Sequence, residues 1–274
     1  MTVRIKSRDS LFQKLVVLKT NRNKRYKYNE FIVEGVRNIN EAVKNKWMIK
    51  NFVFCDGVLS HWAEDLLKTV DTQKNYCLSR ELMAELSGKE DHSELMAVVE
   101  MREDDLFNIK LSAKPLIVLF DRPSNKGNLG TMIRSCDAMG VDALLLTGHG
   151  VDLYDPDVVV SSMGSFFSMQ VIRVSDNGEL NNYIRKLKNE YSDLCIVGTT
   201  SHNEAAIDSV DLDRPLILMV GNETMGLNKS FKETCDVLCT IPMEATSAAS
   251  SFNVSCAATV MLYEAKRQRG FANR

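Results

Sequence analysis

The chain has 274 residues, a net charge of -2, 45% hydrophobic and 26% charged residues, which is apolar material for one large or two modest globular domains and excludes wholesale disorder. No apolar run reaches the ~18 residues of a membrane helix, and the basic start Met1-Thr2-Val3-Arg4-Ile5-Lys6 lacks the apolar stretch of a secretion signal. Seven cysteines at irregular spacing, an odd number, imply reduced thiols of a cytoplasmic protein, and Cys235-x-x-x-Cys239 lacks the second ligand pair of a zinc site.

Residues 1–27 hold nine basic side chains (Arg4, Lys6, Arg8, Lys14, Lys19, Arg22, Lys24, Arg25 and Lys27) against Asp9 alone, so the remainder of the chain is acidic. A basic end points to a polyanion partner, although a solvated basic face gives the same pattern. Interleaved Tyr26 and Tyr28 tilt the reading toward nucleic acid, because aromatic faces stack on unpaired bases. The spacing predicts a short amphipathic helix over 9–19, a strand at Phe31-Ile32-Val33 closed by Glu34-Gly35, and a helix through Ala42 and Val43. Strands follow at 51–55, 75–78 and 96–101, with helices carrying Trp62, Leu66, Leu67 and Val70 and spanning 80–87. This alternation makes residues 1–106 a small α/β domain, followed by a polar linker at 107–114.

A second α/β domain occupies 115–274. Leu116-Ile117-Val118-Leu119-Phe120 is continuously apolar, as a strand buried on both faces is. A helix from Gly127 to Gly140 and strands at 143–146, 171–174, 194–198, 216–220 and 237–241 follow. Val254, Ala257, Ala258, Met261, Leu262 and Ala265 mark a final amphipathic helix, closed by Lys266, Arg267, Arg269 and Gly270.

Ligands of an open parallel sheet collect at the carboxyl ends of its strands. Those ends carry Asp121-Arg122-Pro123-Ser124, Gly198-Thr199-Thr200, Gly221-Asn222-Glu223 and Ile241-Pro242-Met243. Asp121 to Arg134 is a Gly-containing turn into a helix, yet neither a P-loop nor a dinucleotide fingerprint. Gly221-Asn222-Glu223-Thr224-Met225-Gly226 puts an acid between two glycines, and Ser250 to Ser255 opens the last helix. Each cluster alone reads equally as a tight turn or a helix cap.

In this order and spacing the three resemble the SpoU/TrmH family of RNA ribose 2′-O-methyltransferases, of the SPOUT class. Asn128 with Arg134, Gly221-Asn222-Glu223 with Gly226, and Ile241-Pro242-Met243 with Ser251-Phe252-Asn253-Val254-Ser255 match its three motifs. The resemblance spans about 115–268, and Phe31 to Gly35 is similar to the start of the family's RNA substrate-binding domain. Departures are Phe252 in place of leucine and a longer loop, without the usual glycine, over 244–249. The stretches 152–156 and 163–167 are similar to ribosomal RNA methyltransferases of this family that confer antibiotic resistance.

The resemblance implies a mainly parallel SPOUT sheet with a C-terminal trefoil knot, a homodimer, and S-adenosylmethionine as methyl donor. It implies that Thr199, Val220, Gly221, Ile241, Met243 and Phe252 hold the donor. It implies that Asn128 positions Arg134, and that Glu223, Ser251 and Asn253 order the ribose side. The family's base is Arg134, but a guanidinium stays protonated, so binding a neighbouring phosphate is its simpler task. His61, His92, His149 and His202 lie outside the motifs. The implied partner is structured RNA, ribosomal ahead of transfer RNA, with no DNA and no membrane. The rival readings are a transfer-RNA methyltransferase, a catalytically silent RNA-binding protein of the same fold, and a small-molecule methyltransferase.

Overall fold

The computed structural model describes residues 1–89, 92–200 and 204–271. His202 lies outside the described residues. The chain divides into two compact units, one of residues 1–102 with 152–168 and one of 103–151 with 169–274. A boundary drawn only at 107–114 leaves 152–168 with the second unit, whereas this segment belongs with the first.

The first unit begins with β1 (Thr2–Ile5), α1 (Ser10–Thr20), α2 (Arg22–Tyr28), β2 (Glu30–Glu34), α3 (Val36–Lys44) and β3 (Ile49–Cys55). It continues with α4 (His61–Thr69), β4 (Asn75–Leu78), α5 (Arg80–Ser87) and β5 (Leu95–Glu100). The sheet order is β1-β4-β3-β5-β2, with β5 antiparallel to both neighbours. Phe12, Leu15 and Leu18 of α1 and Leu82, Met83 and Leu86 of α5 pack on Ile32, Val53 and Val98 of the sheet. Burial of each such side chain contributes about 1.5–3 kcal/mol. Asp9 starts α1 by accepting from Leu11 N and Phe12 N.

Five of the nine basic side chains of the N-terminal run are not free cations. Arg4, Arg8, Lys14, Lys19 and Arg25 are ion-paired inside the first unit, with Asp56, Glu85, Glu30, Glu34 and Asp152 respectively. Arg25 is 2% exposed and donates to Asp152 Oδ2 (2.7 Å), Asp155 Oδ2 (3.4 Å) and the carbonyls of Leu18 and Lys19. Tyr26 is half-buried and its hydroxyl donates to Asp152 Oδ1 (2.8 Å), so this ring holds the fold together. Net charge per segment hides this, because the partners lie far away in sequence.

In the second unit, β6 (Leu116–Asp121), α6 (Lys126–Met139) and β7 (Ala143–Thr147) come first. The chain then supplies α7 (Pro156–Ser161) and α8 (Ser165–Ser168) to the first unit. There Tyr154, Phe166 and Phe167 surround Phe31 and Trp47, with ring centroids 4.9–6.5 Å from that of Phe31. The Trp47 indole N–H donates to the Phe167 carbonyl (2.9 Å).

The second unit resumes with β8 (Val171–Val174), α9 (Asn177–Glu190), β9 (Cys195–Thr199), β10 (Ala205–Ala206), β11 (Leu216–Val220), α10 (Lys229–Thr234), β12 (Val237–Thr240) and α11 (Val254–Arg269). Its sheet, in the order β10-β12-β9-β11-β6-β7-β8, is parallel at every pairing. Every residue of β6, β7 and β11 is buried, as their unbroken apolar runs require. Tyr183, Leu187 and Leu194 cover one face together with Ile196, Ile217 and Met219. α11 runs alongside α6 in the same direction. Ser255 Oγ donates to the Asn128 carbonyl (2.8 Å), and Thr259 Oγ1 lies 2.7 Å from Ser135 Oγ. Among the described residues no helix is long and apolar enough to cross a membrane.

Candidate active site

Two helices beginning at the same end of a parallel sheet set up the site. Asn125 caps α6 by accepting from Asn128 N (3.0 Å), and Asn253 caps α11 by accepting from Ser255 N (3.0 Å) and Cys256 N (3.3 Å). The unpaired amides of helix starts carry partial positive charge, which favours an anion there. Glu223, from the loop after β11, supplies one. Its Oε2 accepts from Ser124 N (2.9 Å) and Ser124 Oγ (2.6 Å); its Oε1 accepts from Asn125 N (3.0 Å) and Asn128 Nδ2 (3.2 Å). Partial burial works to raise the Glu223 pKa, but the hydrogen bonds from Ser124, the backbone and Asn128 outweigh it, and the net shift is downward.

Asn128 completes the network, because its Oδ1 accepts from Asn253 Nδ2 (3.0 Å). Residues from all three sequence motifs therefore meet in one chain of bonds, Glu223 to Asn128 to Asn253. Asn128 is spent on these two partners and makes no hydrogen bond to Arg134. Arg134 lies on the exposed side of α6 with no hydrogen-bond or ion-pair partner among the described residues.

The loop carrying Glu223 is built for tightness. Asn222 and Gly226 exchange two backbone hydrogen bonds (3.1 and 3.0 Å), and Asn222 Oδ1 accepts from Thr224 N and Met225 N. A side chain at Gly221 has no room, since its Cβ would lie 2.1 Å from Leu227 N.

Beside this network opens a cleft of ≈ 360 Å³. Its walls are the strand ends Thr199, Thr200 and Thr240 to Met243, the loop residues Gly221 to Thr224 with Gly226, Ser250 to Phe252, and Val254, Ala257 and Met261 of α11. Of the expected donor contacts, Thr199, Gly221, Ile241, Met243 and Phe252 line the cleft. Val220 does not; it is 2% exposed within β11 and contributes no surface there. Glu223 and Ser251 line it too, whereas Asn128 and Asn253 do not and are joined to it through the bonds to Glu223. Ser124 and Thr200 stand out in the sequence only as members of strand-end turns, and Asn125 and Met261 carry no site signal of their own. Serine or asparagine before a helix signals only a cap, and Met261 fits the core stripe of α11 equally well. Cys235 and Cys239 are no candidates for chemistry, because burial pushes both thiols up to about 12.

A cleft at the carboxyl ends of parallel strands, walled by glycine turns and joined to a polar network, defines a ligand-binding α/β enzyme domain. The chain belongs to the SpoU rRNA methylase family, whose model matches residues 115–263. The SpoU L30e-like domain matches residues 9–97. The chain is 42% identical over 269 residues to a 23S rRNA (uridine(2479)-2′-O)-methyltransferase of Streptomyces viridochromogenes, covering 97% of this chain and 92% of that one. It is 29% identical over 242 residues to the 23S rRNA (guanosine(2553)-2′-O)-methyltransferase RlmP of Bacillus subtilis, covering 88% of this chain and 90% of that protein. The crystal structure of the SpoU methyltransferase AviRb from Streptomyces viridochromogenes in complex with the cofactor AdoMet superposes with a TM-score of 0.87 at 40% identity, over 95% of this chain and 99% of that one.

Proposed function

We propose that this protein is an S-adenosylmethionine-dependent methyltransferase acting on the 2′-hydroxyl of a uridine ribose in 23S ribosomal RNA. The observation that carries this reading is the meeting of the three motifs in the Glu223–Asn128–Asn253 network at the wall of the cleft. The uridine follows from the 42% identical relative, whose name specifies that nucleotide.

The cleft suits the donor. Its ≈ 360 Å³ falls in the range of about 300–1,000 Å³ typical of small-molecule sites. The backbone around Gly221, where no Cβ fits, allows close approach of a ligand. The half-exposed Phe252 ring and Ile241 offer apolar faces for an adenosine, with Thr199, Thr200 and Ser251 as polar partners. When bound, S-adenosylmethionine supplies a methyl group already activated by its sulfonium charge. The chain's own task is orientation and electrostatics. Glu223 and the Asn128–Asn253 pair fix the two helix starts against the cleft wall. Ser251 stands at the rim to hold the ribose. Arg134, with no partner among the described residues, binds the phosphate beside the target ribose and steadies the charge that develops on its oxygen.

The first unit is the RNA-reading module in this scheme, and the whole enzyme is a homodimer with the family's C-terminal trefoil knot. The exposed side chains of Val260 and Tyr263 on α11, with Phe271 against Tyr263, support a covered face there. The return of α11 from the β12 edge across β9 and β11 to α6 supports the knot. Ribosomal RNA as substrate sets the cytoplasm as the compartment.

The test is incubation with methyl-labelled S-adenosylmethionine and total RNA from a strain lacking the gene, followed by separation of RNA species. Label in 23S RNA supports the reading. Label in transfer RNA alone replaces the substrate, and donor binding without label in any RNA favours a silent RNA-binding protein.

A further inference from the structure

The corner Asp121–Arg122, at the carboxyl end of β6, opens the first sequence cluster but holds none of the residues matched to the family's motifs, yet three segments of the second unit are fastened to it. Asp121 is 1% exposed and accepts from Thr147 Oγ1 at the end of β7 (3.2 Å) and from Asn228 N (3.1 Å). Arg122 grips the same carboxylate with a two-pronged pair, Nε to Oδ1 (3.0 Å) and Nη2 to Oδ2 (2.8 Å). The same Nη2 reaches the Gly226 carbonyl (3.3 Å), and the Arg122 carbonyl accepts from Asn222 Nδ2 (2.7 Å). Both ends of the loop that bears Glu223 are thus tied to one residue.

The backbone accommodates this at a cost. Arg122 has φ 51, in the left-handed region that side chains other than Gly, Asn and Asp seldom adopt. The neighbouring turn is shaped to the arginine as well. A Cβ at Gly148 would lie 2.6 Å from Arg122 Cγ, and Gly148 itself has φ 65.

We propose that Arg122 is a positioning residue for methyl transfer: its guanidinium fork and its carbonyl hold the Asn222–Gly226 loop, and with it Glu223, in the geometry that binds the donor. This rests on the reading of the cleft as the donor site. Arg122 touches neither donor nor RNA in this account, and its effect is felt through the loop.

The left-handed backbone provides a clean test. Asparagine adopts φ near 50° more readily than arginine, so Arg122→Asn keeps the corner without the fork. The double variant Asp121→Asn/Arg122→Asn also leaves no unpaired buried charge, since an amide can accept from Asn228 N and donate to Thr147 Oγ1. Arg122→Lys keeps the charge but offers no planar fork. Each full-length variant is measured for S-adenosylmethionine affinity by calorimetry, for kcat and KM, and for unfolding temperature. The double variant and Arg122→Lys, folded at the assay temperature, are expected to raise the donor Kd and KM at least tenfold while kcat at saturating donor falls less than threefold. Donor affinity within twofold of wild type in either folded variant overturns the assignment, as does a fall in kcat at unchanged KM. Phe252→Ala separates the two readings. Weakened donor binding there, with unchanged binding in the Arg122 variants, overturns the role of Arg122 alone; unchanged binding there overturns the cleft as donor site, and the role of Arg122 with it.

Discussion

Replacing Glu223 by glutamine tests the network with almost no change of shape. The carboxylate accepts four hydrogen bonds, two at each oxygen. A glutamine has one accepting oxygen. Placed at the Oε1 position, it still serves Asn125 N and Asn128 Nδ2, which cannot reverse because Asn128 Oδ1 is engaged by Asn253. The amide NH₂ then faces Ser124. The Ser124 hydroxyl can turn to accept, but the Ser124 N–H loses its acceptor. Ser124 is exposed, so water takes up that N–H and the loss is the net worth of one charge-assisted hydrogen bond, about 1.5 kcal/mol, while the surviving bonds lose their charge assistance. Since Glu223 is only half-buried, the total is about 2 kcal/mol, or roughly 5 °C in the unfolding of the second unit.

The pH dependence has a definite sign. The folded-state pKa of Glu223 lies below its ordinary value of 4.5, so its stabilisation is fully present above about pH 4.5 and lost as pH falls through the folded value. The gap between wild type and Glu223→Gln in chemical denaturation should therefore narrow between pH 7 and one unit below 4.5. Equal gaps at both pH values, or no gap at pH 7, would refute the network as the source of the shift.

Three further outcomes follow from the same geometry. Arg134→Lys, which removes the planar fork but not the charge, should cut turnover about a hundredfold or more with donor affinity unchanged, and single-turnover kinetics with calorimetry check both; near-wild-type turnover rules out its role. Gly221→Ala should abolish measurable donor binding, because the added methyl meets Leu227 N at 2.1 Å and forces the loop to move; equilibrium dialysis reads the loss. In the first unit, Asp152→Ala leaves the buried Arg25 with only the longer Asp155 contact and two carbonyls and should cost about 3 kcal/mol in urea unfolding, whereas Asp155→Ala, losing that 3.4 Å contact and the cap on Asp157 N, should cost less, about 1 kcal/mol.

How much of this the sequence discloses depends on whether the controlling interactions are local. The strands β6, β7 and β11 are legible because burial on both faces demands unbroken apolar runs. The last helix shows its stripe, and Met261, Leu262 and Ala265 are indeed buried. β1 escapes because Thr2–Ile5 is short, with Arg4 between its apolar residues. The helix α2 hides inside a basic run, and its register is set by Arg25 finding Asp152, 127 residues away. The same long-range pair explains why 152–168 belongs with the first unit, which no composition shift announces. At the site, the motifs name Asn128, Glu223 and Asn253 but not who bonds to whom. The resemblance implies that Asn128 serves Arg134; in the structure it bonds Glu223 and Asn253, which arrive from elsewhere in the chain. Val220 adjoins the glycine loop in sequence, yet it ends a strand covered on both faces and is buried.

The most direct test of ribose methylation is the chemical stability of the modified linkage. Methylation of a 2′-oxygen removes the nucleophile that alkali uses to cleave the chain. We expect that 23S RNA from cells lacking this gene, treated with the enzyme and S-adenosylmethionine and mapped by limited alkaline hydrolysis, gains one resistant linkage, 3′ to a uridine and absent with Arg134→Lys. Methyl label recovered only in fully alkali-cleaved nucleotides would place the modification on a base and contradict the account.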